Sequence, residues 1–211
     1  MTPPSDFLWF LGAALVIAFT PGPGIFYVAG RALAGGRSEG LASSLGTGLG
    51  GLVHVVAGAV GVSALVMASA EAFTVLKLVG AGYLVYLGVQ TWRSAGRFAE
   101  DDAADASGPR RAFVQGVIVE ATNPKTAAFF LAFVPQFVEP ARGTVALQFM
   151  LLGLISVALN TGVDVLVSFA ATAVRHRLAR GGVVRRLRQG SGVLMVGLGI
   201  SLALARRPAS P

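Results

Sequence analysis

Phe19-Thr20-Pro21-Gly22-Pro23-Gly24 and Asn123-Pro124-Lys125 interrupt two long apolar runs, 7–28 and 113–138, at matching places in the two halves of the chain. In each, a residue suited to capping a helix N-terminus (Thr20, Asn123) precedes a proline (Pro21, Pro124) suited to the first helical position. Each run therefore reads as a helix that stops and restarts. A restart leaves backbone N–H groups and the positive end of a helix dipole inside the protein. Such ends bind anions, and at membrane depth they exist only where protein or a water-filled cavity surrounds them. The matched pair predicts a binding site at the midplane of a membrane transporter for a carboxylate-bearing solute, built from Thr20, Pro21, Gly22, Pro23 and Gly24 on one side and Asn123, Pro124 and Lys125 on the other. A pair of ordinary proline kinks is the competing reading.

Composition agrees with a membrane setting. The chain is 54% hydrophobic and 13% charged, with a mean hydropathy of +0.70, too apolar for a soluble domain of this length. The net charge is +7, but its arginines fall in short segments between apolar runs, which argues for membrane orientation and against a nucleic-acid-binding face. The absence of cysteine excludes disulfides, thiol redox chemistry and cysteine-ligated metals. With His54 and His176 as the two histidines, no metal site and no cofactor is expected. The first apolar run leads into Thr20-Pro21-Gly22 and has no basic flank, so it is expected to stay in the mature protein.

Further apolar runs at 41–70, 73–92, 145–174 and 190–205 complete an expected set of six membrane helices in a single domain. The last is short unless Val183, Val184 and Leu187 extend it. A hydrophilic linker, 94–112, carries Glu100, Asp101, Asp102, Asp105, Arg110 and Arg111 and separates a first repeat, 1–93, from a second, 113–211. Loops after the first, third and fifth helices hold Arg31, Arg37, Arg93, Arg97, Arg110, Arg111, Arg175, Arg177, Arg180, Arg185, Arg186 and Arg188, against Arg142, Arg206 and Arg207 on the other side. The arginine-rich side is cytoplasmic by the positive-inside rule. Three helices per half make the second half enter the membrane from the opposite face, as an inverted repeat.

Polar residues inside the apolar runs are the candidates for chemistry. Ser156, Asn160, Asp164 and Ser168 recur every four residues and make one polar stripe along a helix. A carboxylate at mid-membrane costs about 2.5 to 3.5 kcal/mol, so Asp164 is expected to face the bundle interior and to exchange a proton or hold an ammonium group, with a hydrogen-bond anchor as the plainer role. Gly46, Gly50, His54 and Gly58 form a second stripe of the same spacing, which permits close helix approach. His54 reads either as a proton relay or as a histidine hydrogen-bonded across helices. Glu120 lies one turn before Asn123 and is placed to hold a substrate amine or pair with Lys125. Lys125 in turn reads as a charge neutralising Glu120 or Asp164, or as a substrate contact. Catalytic motifs are missing, and Ser63 lies about 13 Å along the helix from His54, too far for a dyad.

The Thr20–Gly24 run, the glycine-rich helix with His54, Gly80-Ala81-Gly82-Tyr83-Leu84-Val85-Tyr86-Leu87-Gly88, Asn123-Pro124-Lys125 and Pro135-Gln136-Phe137 together resemble the LysE/RhtB family of amino-acid exporters, in order and over nearly the whole chain. The resemblance implies a bacterial plasma-membrane exporter, not an enzyme, driven by the proton gradient, with an amino acid as substrate and protons and lipid as its other partners. It also makes Asp164 a family-like position. A homo-oligomer stays open, and a non-transporting membrane scaffold is the competing class, with an intramembrane enzyme behind it.

Overall fold

The computed structural model describes residues 4–68, 70–93, 106–173 and 182–204. Arg97, the acidic run Glu100, Asp101, Asp102 and Asp105, and Arg175, His176, Arg177, Arg180, Arg206 and Arg207 lie outside the described residues. Among the described residues seven α-helices follow in order: α1 (Pro4–Phe19), α2 (Pro23–Ala68), α3 (Ala70–Arg93), α4 (Pro109–Ala121), α5 (Pro124–Ala128), α6 (Val145–Ala173) and α7 (Gly182–Leu204). Among the described residues every regular element is helical.

Both sequence-predicted breaks are present, between α1 and α2 and between α4 and α5. The loop expected between the first two apolar runs, with Arg31 and Arg37 in it, is instead helical and is interrupted at one residue. Gly36 adopts φ 71°, ψ −161°, a conformation open mainly to glycine, and divides α2 into an arm of residues 23–35 and a long arm of residues 37–68. After α5 the helix widens into a π turn (Phe129–Phe133) and then tightens into a 3-10 turn (Val134–Phe137). Pro135 explains the change, since it has no N–H to continue the ladder and its ring crowds the preceding turn. Gln136 Nε2 donates to Ala132 O at 2.9 Å and serves a carbonyl beside this disturbance.

The long arm of α2 runs between α4 and α6, and its small residues decide how close they come. A methyl at Gly46 would fall on the Phe113 carbonyl and one at Gly50 on that of Val117. One turn further His54 meets the Glu120 carbonyl, so the predicted stripe follows α4 for three turns before Gly58 passes to Phe149 of α6. The opposite side of the arm, at Gly40, Gly48 and Gly51, lies against Ser168, Thr161 and Val157 of α6. α3 and α7 pack on each other, with Gly199 against the Ala81 carbonyl. Aromatic rings fill the centre, where Phe129 stacks on Phe133 at 5.3 Å and Phe10 meets Phe137 edge-on at 5.4 Å.

The outer surface is the reverse of a soluble protein's. Trp9 is 76% exposed, and Val60, Val79 and Leu204 are exposed with it, while Glu120, Lys125 and Asp164 are buried. Among the described residues, Pro23–Ser63 and Val145–Ala173 are long and apolar enough to cross a membrane, and Pro109–Ala121 with Pro124–Phe137, bent by 41°, make a third crossing if taken as one span. The last helix is longer than its apolar run because Val183, Val184 and Leu187 do extend it, to 23 residues from Gly182.

Candidate functional site

The two breaks meet. Asn123 caps α5 as its sequence position suggests, its Oδ1 accepting from Lys125 N at 3.0 Å with Pro124 in the first helical turn. The first break is registered differently from the expectation. Thr20 does not cap α2: its amide and its hydroxyl both donate to Val16 O, at 3.0 and 2.6 Å, so it closes α1, and α2 begins at Pro23 instead of Pro21. With two prolines available, the one followed by an uninterrupted helical run takes the initiating place. The first helical bond of α2 then runs from Phe26 N to Gly22 O, 3.1 Å.

Lys125 also departs from the expectation of an ion pair with Glu120 or Asp164. Its buried ammonium donates to Ile17 O at 3.1 Å and to Thr20 O at 2.9 Å, carbonyls at the end of α1, the first of which also accepts from Thr20 N at 3.2 Å. A cation there also complements the negative end of the α1 dipole. The pairing of acid and base suggested by proximity in sequence gives way to capping across the break. Glu120 is held within its own segment, Oε2 accepting from Asn123 Nδ2 at 2.8 Å and Oε1 from the Thr126 hydroxyl at 2.6 Å.

Glycine lets the two breaks approach each other. A Cβ on Gly22 would lie 3.2 Å from the Lys125 side chain, and one on Gly24 would lie 2.6 Å from Glu120 Oε2. The Gly-Pro-Gly spelling of the first break is thus matched to the charged side chains of the second.

His54 Nε2 donates to Glu120 O at 2.8 Å, which places the ring proton on Nε2, and the ring stacks on Phe130 at 6.0 Å. Ser63 turns back to Ala59 O at 2.6 Å, so no serine–histidine pair forms. Asp164 is wholly buried on the face of α6 turned to α2. The Thr47 hydroxyl donates to its Oδ2 at 2.7 Å, and its Oδ1 has no hydrogen-bond partner. Ser168, one turn along, has an unpartnered hydroxyl as well. Thr47 also lines a cavity of about 20 Å³, room for a water but not for an amino acid, whose other polar lining comes from Glu120, Thr126, Ser156 and Asn160 and does not include Asp164 or Ser168.

Thr47 and Thr126 were missed in the sequence reading. Thr47 stands between Gly46 and Gly48 in a stripe read for its small residues, and Thr126 lies six residues after Glu120 and is brought to it by the break between α4 and α5.

Residues 15–206 match the family described as LysE type translocator. The chain belongs to that family. A homoserine/homoserine lactone efflux protein of Salmonella typhimurium is 32% identical over 206 residues, covering 94% of this chain and 97% of that protein. An uncharacterized membrane protein of Vibrio cholerae is 32% identical over 203 residues, with 94% and 97% covered. A leucine efflux protein of Klebsiella pneumoniae is 29% identical over 151 residues, 71% of each chain. No solved structure matches the chain. LysE translocators are transporters and not enzymes, and this one is a multi-pass membrane protein of that bacterial kind.

Proposed function

We propose that this LysE translocator exports an amino acid across the plasma membrane, binding the zwitterion between the two broken helices and exchanging it for a proton. The observation that carries the reading is that the two breaks meet, Lys125 of the second reaching the carbonyls of Ile17 and Thr20 at the first, next to a small cavity lined in part by Ile17 and Thr126, in a chain whose relatives include efflux proteins for homoserine and leucine. The substrate carboxylate meets the amides that open α2 and α5, that of Gly24 among them. Its ammonium goes to Asp164, because both Glu120 oxygens already accept hydrogen bonds whereas Asp164 Oδ1 is unoccupied. The cavity must widen to admit any amino acid.

Proton counting supports Asp164 as the coupling group. The Thr47 hydroxyl is 2.7 Å from Asp164 Oδ2 and 2.9 Å from Ser44 O. One hydroxyl hydrogen serves one of these acceptors. Both contacts are filled together when Asp164 is protonated and donates to Thr47, which then donates to Ser44 O. Binding of an ammonium group at Asp164 and binding of a proton there exclude each other, which is the requirement for exchange.

The same reading takes the halves as inverted three-helix repeats, and three features support it. Each half opens with a helix broken at a proline, the third helices of the halves, α3 and α7, pack together, and those two helices have 24 and 23 residues. Counterflow in proteoliposomes, with a panel of labelled amino acids and an imposed pH gradient, tests the function. Uptake of at least one amino acid that follows the gradient is expected; no counterflow of any would overturn it.

A further inference from the structure

Away from the cavity, where α2 bends at Gly36, a second polar assembly closes the arginine-rich end of the bundle. Glu39, 3% exposed, places Oε1 on two successive backbone amides ahead of α4, Ser107 N at 2.9 Å and Gly108 N at 2.7 Å. Its Oε2 has no hydrogen-bond partner and lies 3.7 Å from Arg31 Nη1. Arg31 itself is buried, with Nη1 donating to the Ser107 hydroxyl at 2.8 Å and Nη2 to Gln115 Oε1. Tyr27, one turn before Arg31, donates to Ala112 O at 2.7 Å.

Two adjacent amides at a helix start and a guanidinium make a receptor for a carboxylate. Here the receptor is filled by a carboxylate of the same chain, and the side chain that fills it leaves one buried oxygen without a donor. The elbow of α2 is thereby fastened to the start of α4.

We propose that Arg31 with the amides of Ser107 and Gly108 forms an entry site for the free carboxylate of the substrate, with Glu39 as a tethered competitor whose displacement releases the latch. This rests on the amino-acid export reading. A ligand carboxylate satisfies both amides and the guanidinium as Glu39 does, and as an untethered group it can also orient its second oxygen to a donor. Entry is then coupled to the presence of a carboxylate, and solutes lacking one leave the latch shut.

The chain has no cysteine, so a single cysteine at Asn160, on the cavity wall, reports access without background. In inside-out vesicles a membrane-impermeant thiol reagent is expected to label it slowly alone and about tenfold or more faster with L-leucine, the advantage expected of a charge-assisted contact. L-leucinamide, which lacks the carboxylate, is expected to leave the rate unchanged. Glu39→Ala should label fast without ligand, Glu39→Gln, which keeps the shape, should lie between, and Arg31→Gln should lose the response to leucine. Equal labelling of Glu39→Ala, Glu39→Gln and the parent overturns the latch, as does equal acceleration by leucine and leucinamide. Amino-acid counterflow is measured in parallel in vesicles of the cysteine-free parent and of the reporter, so a working transporter with no latch response refutes this site alone, and a failure of counterflow with every amino acid in the parent refutes the export reading.

Discussion

Gly24→Ala is the smallest change that tests whether the two breaks act as one site. Its new methyl would stand 2.6 Å from Glu120 Oε2, against a carbon–oxygen contact of about 3.3 Å, so the carboxylate must retreat by about 0.7 Å. Glu120 cannot retreat freely, because Asn123 Nδ2 and the Thr126 hydroxyl hold its oxygens at 2.8 and 2.6 Å in a buried setting. Adding 0.7 Å to either contact takes it beyond hydrogen-bond range, and losing one bond to a charged group costs about 1.5 to 3 kcal/mol. Since Asn123 also caps α5, the loss is passed to the helix start proposed to meet the substrate carboxylate. Counterflow at subsaturating substrate should fall by about ten- to a hundredfold, while membrane insertion is retained. The double variant Gly24→Ala, Glu120→Asp shortens the acid by one methylene and should recover part of the loss, a non-additive result read from a double-mutant cycle. Undiminished counterflow in Gly24→Ala refutes the reasoning, and so does strict additivity of the pair.

Asp164→Asn keeps the hydrogen-bonding size but removes the exchangeable charge, so uphill export driven by a pH gradient should be abolished, while Glu120→Gln retains gradient dependence; the reverse pattern reassigns the coupling role. Lys125→Met leaves Ile17 O and Thr20 O without their cap and should lower the thermal unfolding midpoint in detergent, by an amount corresponding to about 2 kcal/mol, whereas a Lys125 acting through ion pairing would be compensated by Glu120→Gln. Single cysteines at Ser38 and Ala141 should react with impermeant reagent from opposite sides of the membrane, Ser38 from the cytoplasm, and labelling of both from one side would break the inverted-repeat topology. Gly50→Val drives a side chain into the Val117 carbonyl of α4 and should reduce folded protein in the membrane, measured by fluorescence-detected gel filtration.

Local features of the sequence reached a long way. The two breaks, the stripe from Ser156 to Ser168 and the close-packing glycines of α2 follow from punctuation and a four-residue spacing, and both depend only on neighbours along one helix. The widened turn after α5 was not read from the sequence, although Pro135, its cause, was noted as part of a motif. Gly36 was passed over too, because the Gly35-Gly36 pair between apolar runs looks the same whether it ends a helix or bends one.

What the sequence by itself determined is where the helices stop and which of their faces carry polar groups. Which polar groups meet was decided by the tertiary structure. Glu120 and Lys125 are five residues apart and opposite in charge, yet the lysine crosses the break to the carbonyls of Ile17 and Thr20, while Thr126 and Asn123 satisfy the acid. Arg31 and Glu39 have no visible relation in the sequence until the bend at Gly36 turns both toward Ser107. The physical reason is that a buried charge takes whichever donors and acceptors packing leaves unpaired, and the unpaired ones are the ends of helices that lie far away in the chain.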